Sequence, residues 1–148
     1  MRKRILRVSA VLLCLALLSG CKLLTQANID FDADSISKAQ KIVIRNADSE
    51  EKGVLTGEEE VEAFVDAMNL GGWRLQELPE GLAEAGGFTL WQQETVSALT
   101  GGSSSGMAEL CTLRVYADGD YLVIETGLAD VPFAIPRETA DYLRNLLA

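Results

Sequence analysis

The sequence predicts an α+β domain, an antiparallel sheet of about five to six strands with two helices packed on one face. Three observations carry this. Short β-branched and alternating runs outnumber helical ones, in the order strand, helix, strands, helix. Two segments, 56–69 and 136–148, repeat their apolar residues at helical spacing. Asp118 and Gly119, the preferred pair for a two-residue type I′ hairpin, sit between two alternating runs.

Taken in order, KIVIR (41–45) is short, apolar and β-branched and reads as a strand, and NADSEEKG (46–53) as an acidic turn. TGEEEVEAFVDAMN (56–69) follows as a helix. Thr56 and Glu59 have capping-box spacing, and Glu58, Glu59 and Glu60 fall in the first turn, where the helix dipole favours acids. Val61, Phe64, Val65 and Met68 make one buried stripe, and Gly71 and Gly72 stop the helix. WRLQELP (73–79) reads as a short strand, PEGLAEAGG (79–87) as a surface loop, FTLWQQETVSAL (88–99) as a long strand and TGGSSSG (100–106) as a flexible hairpin tip. VPFAI (131–135) alternates inward, but Pro132 cannot donate to a ladder, which places this strand at an edge or makes it irregular. PRETADYLRNLLA (136–148) closes the chain as a helix with Pro136 near its start and Ala140, Leu143 and Leu147 on one face.

Within 110–126 the turn sets the register. Ala117 is expected opposite Asp120, Val115 opposite Leu122, Leu113 opposite Ile124 and Cys111 opposite Thr126, so the aliphatic pairs share one face. The other face receives Tyr116 with Tyr121, Arg114 with Val123 and Thr112 with Glu125. On the preceding strand Trp91 points away from Phe88 and Leu90. Trp91, Arg114, Tyr116 and Tyr121 are therefore the candidate binding residues. Together they would form an aromatic and cationic patch suited to stacking on a sugar or gripping a peptide; the competing reading is an ordinary half-exposed sheet face, covered by the tether or the 79–87 loop.

The N-terminus has a different character. Arg2, Lys3, Arg4 and Arg7 precede an apolar stretch from Val8 to Leu18 broken only by Ser9, and then Ser19, Gly20 and Cys21. That stretch is shorter than the ~18 to 20 apolar residues of a membrane span and has the layout of an export signal. Leu18, Ser19, Gly20 and Cys21 match the lipobox, and the segment resembles a bacterial lipoprotein signal. The resemblance implies that residues 1–20 are removed, that the Cys21 thiol carries diacylglycerol, and that the protein is anchored on the extracytoplasmic side of the cell membrane. Two acyl chains hold stably where one is marginal, each buried CH₂ contributing about 0.8 kcal/mol. The outline of lipobox, acidic tether and one α+β domain is similar to small lipoproteins of Gram-positive gut bacteria, and it carries across no catalytic residue. On this reading residues 21–37 are the lipidated cysteine and a flexible acidic tether, and 38–148 are the domain. About fifteen flexible residues span roughly 20 Å. That exceeds the ~8 Å Debye length, so the domain stands clear of the bilayer charge.

Removing 1–20 also changes the counts. Four of the 13 basic residues go and all 22 acidic ones stay, nine against 22, so the net charge moves from −9 to −13. Such a surface repels nucleic acid, which is not an expected partner. Cys14 leaves with the signal and Cys21 is lipidated, so Cys111 is alone and no internal disulfide forms.

The chain has no histidine. That excludes Ser-His-Asp and Cys-His catalysis and histidine-containing metal sites. GSSSG (102–106) matches G-x-S-x-G but lies between two strands, and S-x-x-K occurs at Ser35 and Ser49 without its companion motifs. Asp30, Asp32 and Asp34 begin like a calcium loop, yet Ser35 and Lys41 stand where an EF-hand needs glycine and glutamate. Glu58, Glu59, Glu60 and Glu62 are explained by their helix start, and Cys111 by burial beside Leu113 and Val115. The expectation is a non-enzymatic module, without cofactor or metal, that binds a protein, a peptide or an envelope glycan. The alternatives are an inhibitor or immunity-type lipoprotein that blocks an extracellular enzyme, and a hydrolase working with carboxylates alone.

Overall fold

A computed structural model describes residues 34–94 and 106–148. In chain order they form α1 (Asp34–Ser37), β1 (Lys41–Asn46), β2 (Glu51–Leu55), α2 (Glu58–Ala67), a 3₁₀ turn (Leu70–Gly72), β3 (Arg74–Leu75), β4 (Glu84–Gln93), β5 (Met107–Tyr116), β6 (Tyr121–Glu125), β7 (Asp130–Ala134) and α3 (Arg137–Leu147). The strands make one α+β sheet in the order β2-β1-β4-β5-β6-β7-β3, with every neighbouring pair antiparallel.

Alternation sorts the sheet into two faces. Ile42, Ile44, Phe88, Leu90, Cys111, Leu113, Val115, Leu122 and Ile124 are all buried and share one face by register. Phe64 of α2 meets Phe88 of this face at a ring-centroid distance of 5.2 Å and Tyr142 of α3 at 6.2 Å. The Thr139 hydroxyl, buried at the start of α3, donates to the carbonyl of Ala67 at 3.0 Å, joining the first turn of α3 to the last turn of α2. That bond satisfies one of the carbonyls a helix end leaves open.

The β5–β6 register is the one the sequence predicts: Val115 pairs with Leu122, Arg114 with Val123, Leu113 with Ile124 and Thr112 with Glu125. The turn itself differs. A type I′ turn needs two positive φ angles, and only Gly119 has one, at 78°. The expected Ala117–Asp120 pair is replaced by tertiary bonds: Ala117 N–H donates to Ala83 O at 2.9 Å, Ile135 N–H to Asp120 O at 2.9 Å and Arg144 Nη1 to Gly119 O at 2.7 Å.

Seven strands replace the expected five to six. The added one is β2, drawn out of the presumed acidic turn. Asn46 Oδ1 accepts from Glu50 N–H at 2.9 Å and Ser49 takes φ 64°, so the chain reverses within four residues and pairs back on β1. WRLQELP contributes only the two-residue β3, whereas β4 reaches back to Glu84 through residues expected in a loop. β7 lies inside the edge, between β6 and β3, and the Pro132 carbonyl accepts from Gln76 N–H at 3.2 Å.

The α2 cap lies one residue later than Thr56 and Glu59: Gly57 is the N-cap, and its N–H donates to the Glu60 carboxylate at 3.4 Å. Asn69 in the left-handed region, φ 46°, follows the helix, ahead of the two glycines. Ile36 of α1, within the stretch expected as tether, is fully buried. The expected signal segment, Cys21, the expected tether up to residue 33 with Asp30 and Asp32, and the 95–105 part of the expected long strand and hairpin tip lie outside the described residues.

Candidate binding groove

The four residues singled out from the sequence do not make one patch. β3 and β4 run in the same direction, so the segment between them, residues 76–83, must return along the sheet, and it does so over the face that carries Arg114 and Tyr116. Gln76 N–H on the Pro132 carbonyl and Ala83 O accepting from Ala117 N–H fix its two ends. Tyr116 is consequently buried, at 7% exposure. Tyr121 is half-buried, and its hydroxyl accepts from Gln76 Nε2 at 3.4 Å. Trp91 lies four residues along β4 from Gly87, the partner of Arg114, a separation of about 13 Å. It is half-buried between the Lys41 and Glu109 register positions, with a buried indole N–H that has no hydrogen-bond partner among the described residues. An aromatic platform for a sugar is therefore not assembled by these residues.

Arg114 is the centre of what is assembled. Its guanidinium pairs with Glu125 of β6, and Glu84 of β4 and Asp130 of β7 stand at 3.5 and 3.9 Å. Two hollows flank it. One, of about 230 Å³, is lined by Glu77, Leu78, Arg114, Tyr116, Val123, Asp130 and Pro132. The other, of about 590 Å³, is lined by Glu109, Thr112, Glu125 and the turn Gly127–Asp130. Asp130 lines both, so the two hollows adjoin, and together they make up the candidate groove across β5, β6 and β7. Glu77, Glu109, Glu125 and Asp130 give its described lining four carboxylates against the single Arg114, beside apolar Leu78, Val123 and Pro132. Thr112 is held in place by its hydroxyl, which bonds the Glu109 carboxylate at 3.3 Å and meets the Thr89 hydroxyl at 3.1 Å.

The groove suits a cation carried on an apolar stem: carboxylates accept hydrogen bonds from an ammonium or guanidinium, and Leu78 and Pro132 cover its methylenes. Sequence reasoning found Arg114 but missed Glu77, Glu84, Glu109 and Asp130, which long-range pairing and the returning segment bring in. The available signal was Leu78 and Leu82, two apolar residues in an otherwise polar connection.

At the turn that ends the groove, Thr126 donates to Ala129 O from both its backbone N–H and its hydroxyl, each at 3.2 Å, and Leu128 stands 97% exposed. A third hollow, of about 490 Å³, lies elsewhere, between α1 and α2, lined by Ser37, Ala39, Gln40, Thr56, Glu58, Val61, Glu62 and Val65. Among the described residues no group of three or more metal-ligating side chains converges, and no helix is long and apolar enough to cross a membrane.

Cys111 faces the core, and burial, followed by the nearby Glu109 charge, pushes its thiol up to about 12. At neutral pH about one molecule in 10⁵ is then the thiolate, the form that attacks electrophiles. Iodoacetamide at pH 7.5 is expected to leave Cys111 unmodified in the folded chain and to alkylate it in urea, as peptide mapping reads directly. Modification at equal rates in both states would place the thiol outside the core. Comparison with known protein families, with curated proteins and with solved structures returns no match.

Proposed function

We propose that the protein is a lipid-anchored, extracytoplasmic binding module whose groove around Arg114 takes a cationic segment of a protein or peptide. It acts without chemistry of its own. The observation that carries this reading is the four-to-one excess of carboxylates over guanidinium in a groove with apolar walls. The anchor is the diacylglycerol on Cys21, and the support for it is the match of Leu18–Cys21 to the lipobox. Both long helices, α2 and α3, are read as lying on the Phe88 side of the sheet, which leaves the Arg114 side to the ligand.

A lysine-rich peptide titrated against the full-length chain tests the groove. Glu125→Gln with Asp130→Asn is expected to weaken binding by roughly tenfold, since each partly exposed pair contributes up to about 1 kcal/mol. Undiminished affinity in that double variant would overturn the assignment. Cys21→Ala tests the anchor in the same protein, with the expectation that it moves from the membrane to the soluble fraction.

A second reading, an inhibitor of an extracellular enzyme, is favoured by one feature. The Thr126–Ala129 turn is closed by its own hydrogen bonds and presents Leu128 nearly free of contact, as a rigid inserted tip does. Leu128→Asp abolishing a protein partner's binding while lysine-peptide binding persists would select it.

A further inference from the structure

We propose that the outer edge of β2 accepts an extended cationic segment of a partner protein as an eighth strand, with one of its side chains entering the hollow beside Thr56. Among the described residues β2 pairs with β1 alone, and the opposite edge of the sheet, β3, is only two residues long. The ladder is regular from Leu55 to Gly53 and bulges at Lys52, the extra residue between the partners of Ile44 and Arg45, so the outward backbone groups keep strand spacing over 53–55. An unpaired, regular edge is a template for strand addition, in which main-chain bonds give affinity and side-chain pockets give selectivity.

The pocket is in place. β2 runs directly into Thr56, which lines the 490 Å³ hollow. Ala39, Val61 and Val65 supply apolar wall, and Glu58 and Glu62, one helical turn apart, supply charge. This combination accepts a lysine or arginine stem with its charged end at the two carboxylates. Glu50 and Glu51 extend the acidic character to the other end of the strand. Lys52 is the one cation on β2, so the segment carries an uncharged residue opposite it and cationic ones toward Glu51 and the hollow. Charge decides between occupants. A second copy of this chain brings its own −9, which opposes edge-to-edge pairing, whereas a basic segment is attracted.

The test uses the full-length chain in detergent and a nine-residue peptide alternating lysine and valine. Two further versions of the peptide are N-methylated on one or the other alternate set of residues, so that each blocks one edge. Strand addition predicts protection from amide exchange over 51–55. It also predicts that one methylated version binds as the parent does while the other is weakened at least tenfold, because only one edge of the peptide faces β2. Glu58→Gln with Glu62→Gln is expected to weaken the parent peptide about fivefold. Equal binding of both methylated peptides, unchanged affinity in the double variant, or no binding overturns the proposal. So does protection confined to 109–130, which would instead support the Arg114 groove.

Discussion

Gly86→Ala is expected to destabilise the domain by about 3 kcal/mol or more, combining backbone strain with overpacking. Gly86 has φ 149°, a region L-residues rarely enter, and an added Cβ would lie 2.3 Å from the Arg45 carbonyl oxygen, 2.8 Å from Leu147 Cδ2 and 3.1 Å from Asn46 Cα. Two of these three atoms are backbone of the strand paired with β4 at this point, where Asn46 lies opposite Gly86, so rotation of a side chain cannot relieve them. The β4–β5 register also shifts between Glu84 and Gly86, and the missing side chain is what lets β1, β4 and α3 meet there. Urea unfolding should show a lower midpoint with an unchanged slope. Gly81→Ala is the matched control. Gly81 also has positive φ, 81°, but an added Cβ meets nothing within 4 Å, so its cost should stay near 1 kcal/mol, the conformational part alone. Equal losses in the two variants would show that close contact at Gly86 does not matter.

What could be read from the sequence follows from how local each determinant is. The β5–β6 register was legible because alternation over 110–126 allows one sorting of aliphatic residues, and a one-residue slip would expose all of them. The turn between those strands was not, because Ala83, Ile135 and Arg144 bond it from afar. β2 was hidden for another reason. Glu51 and Lys52 are exposed and Gly53 contributes no side chain, so an edge strand there carries half the usual apolar signal. Of the site, Arg114 and its face could be placed by parity along the strand. The cover over Tyr116 could not, since a returning loop has no periodicity to reveal which face it crosses. An aromatic patch expected from parity thus became a groove whose chemistry is set by carboxylates. The same non-local origin accounts for the cap displaced by one residue. Glu59 and Glu60 are equivalent acids by composition, and only the path of the chain out of β2 decides which of them reaches back to an N–H.

Phe64→Ala is the second change expected to have a large effect, about 4 kcal/mol by the usual cost of emptying a buried aromatic site. Phe64 is fully buried, and its ring bridges Phe88 in the sheet and Tyr142 on α3, so truncation removes contacts from three elements at once. Phe64→Leu keeps most of the volume and should cost about 1 kcal/mol. Tyr142 provides a readout that overall stability does not. Burial raises its hydroxyl pKa above the ordinary value of 10.0. The unfolded chain therefore ionises first, so this group's stabilising contribution is fully present below pH 10 and is lost as pH rises through the folded-state value. Opening the space beside the ring in Phe64→Ala admits water and should move the Tyr142 transition back toward 10.0, as followed by ultraviolet absorbance. Phe64→Leu should leave it displaced. An alanine variant that unfolds more readily but titrates Tyr142 unchanged would mean that Phe64 stabilises through the sheet alone, and that burial of the Tyr142 hydroxyl is set by the rest of α3.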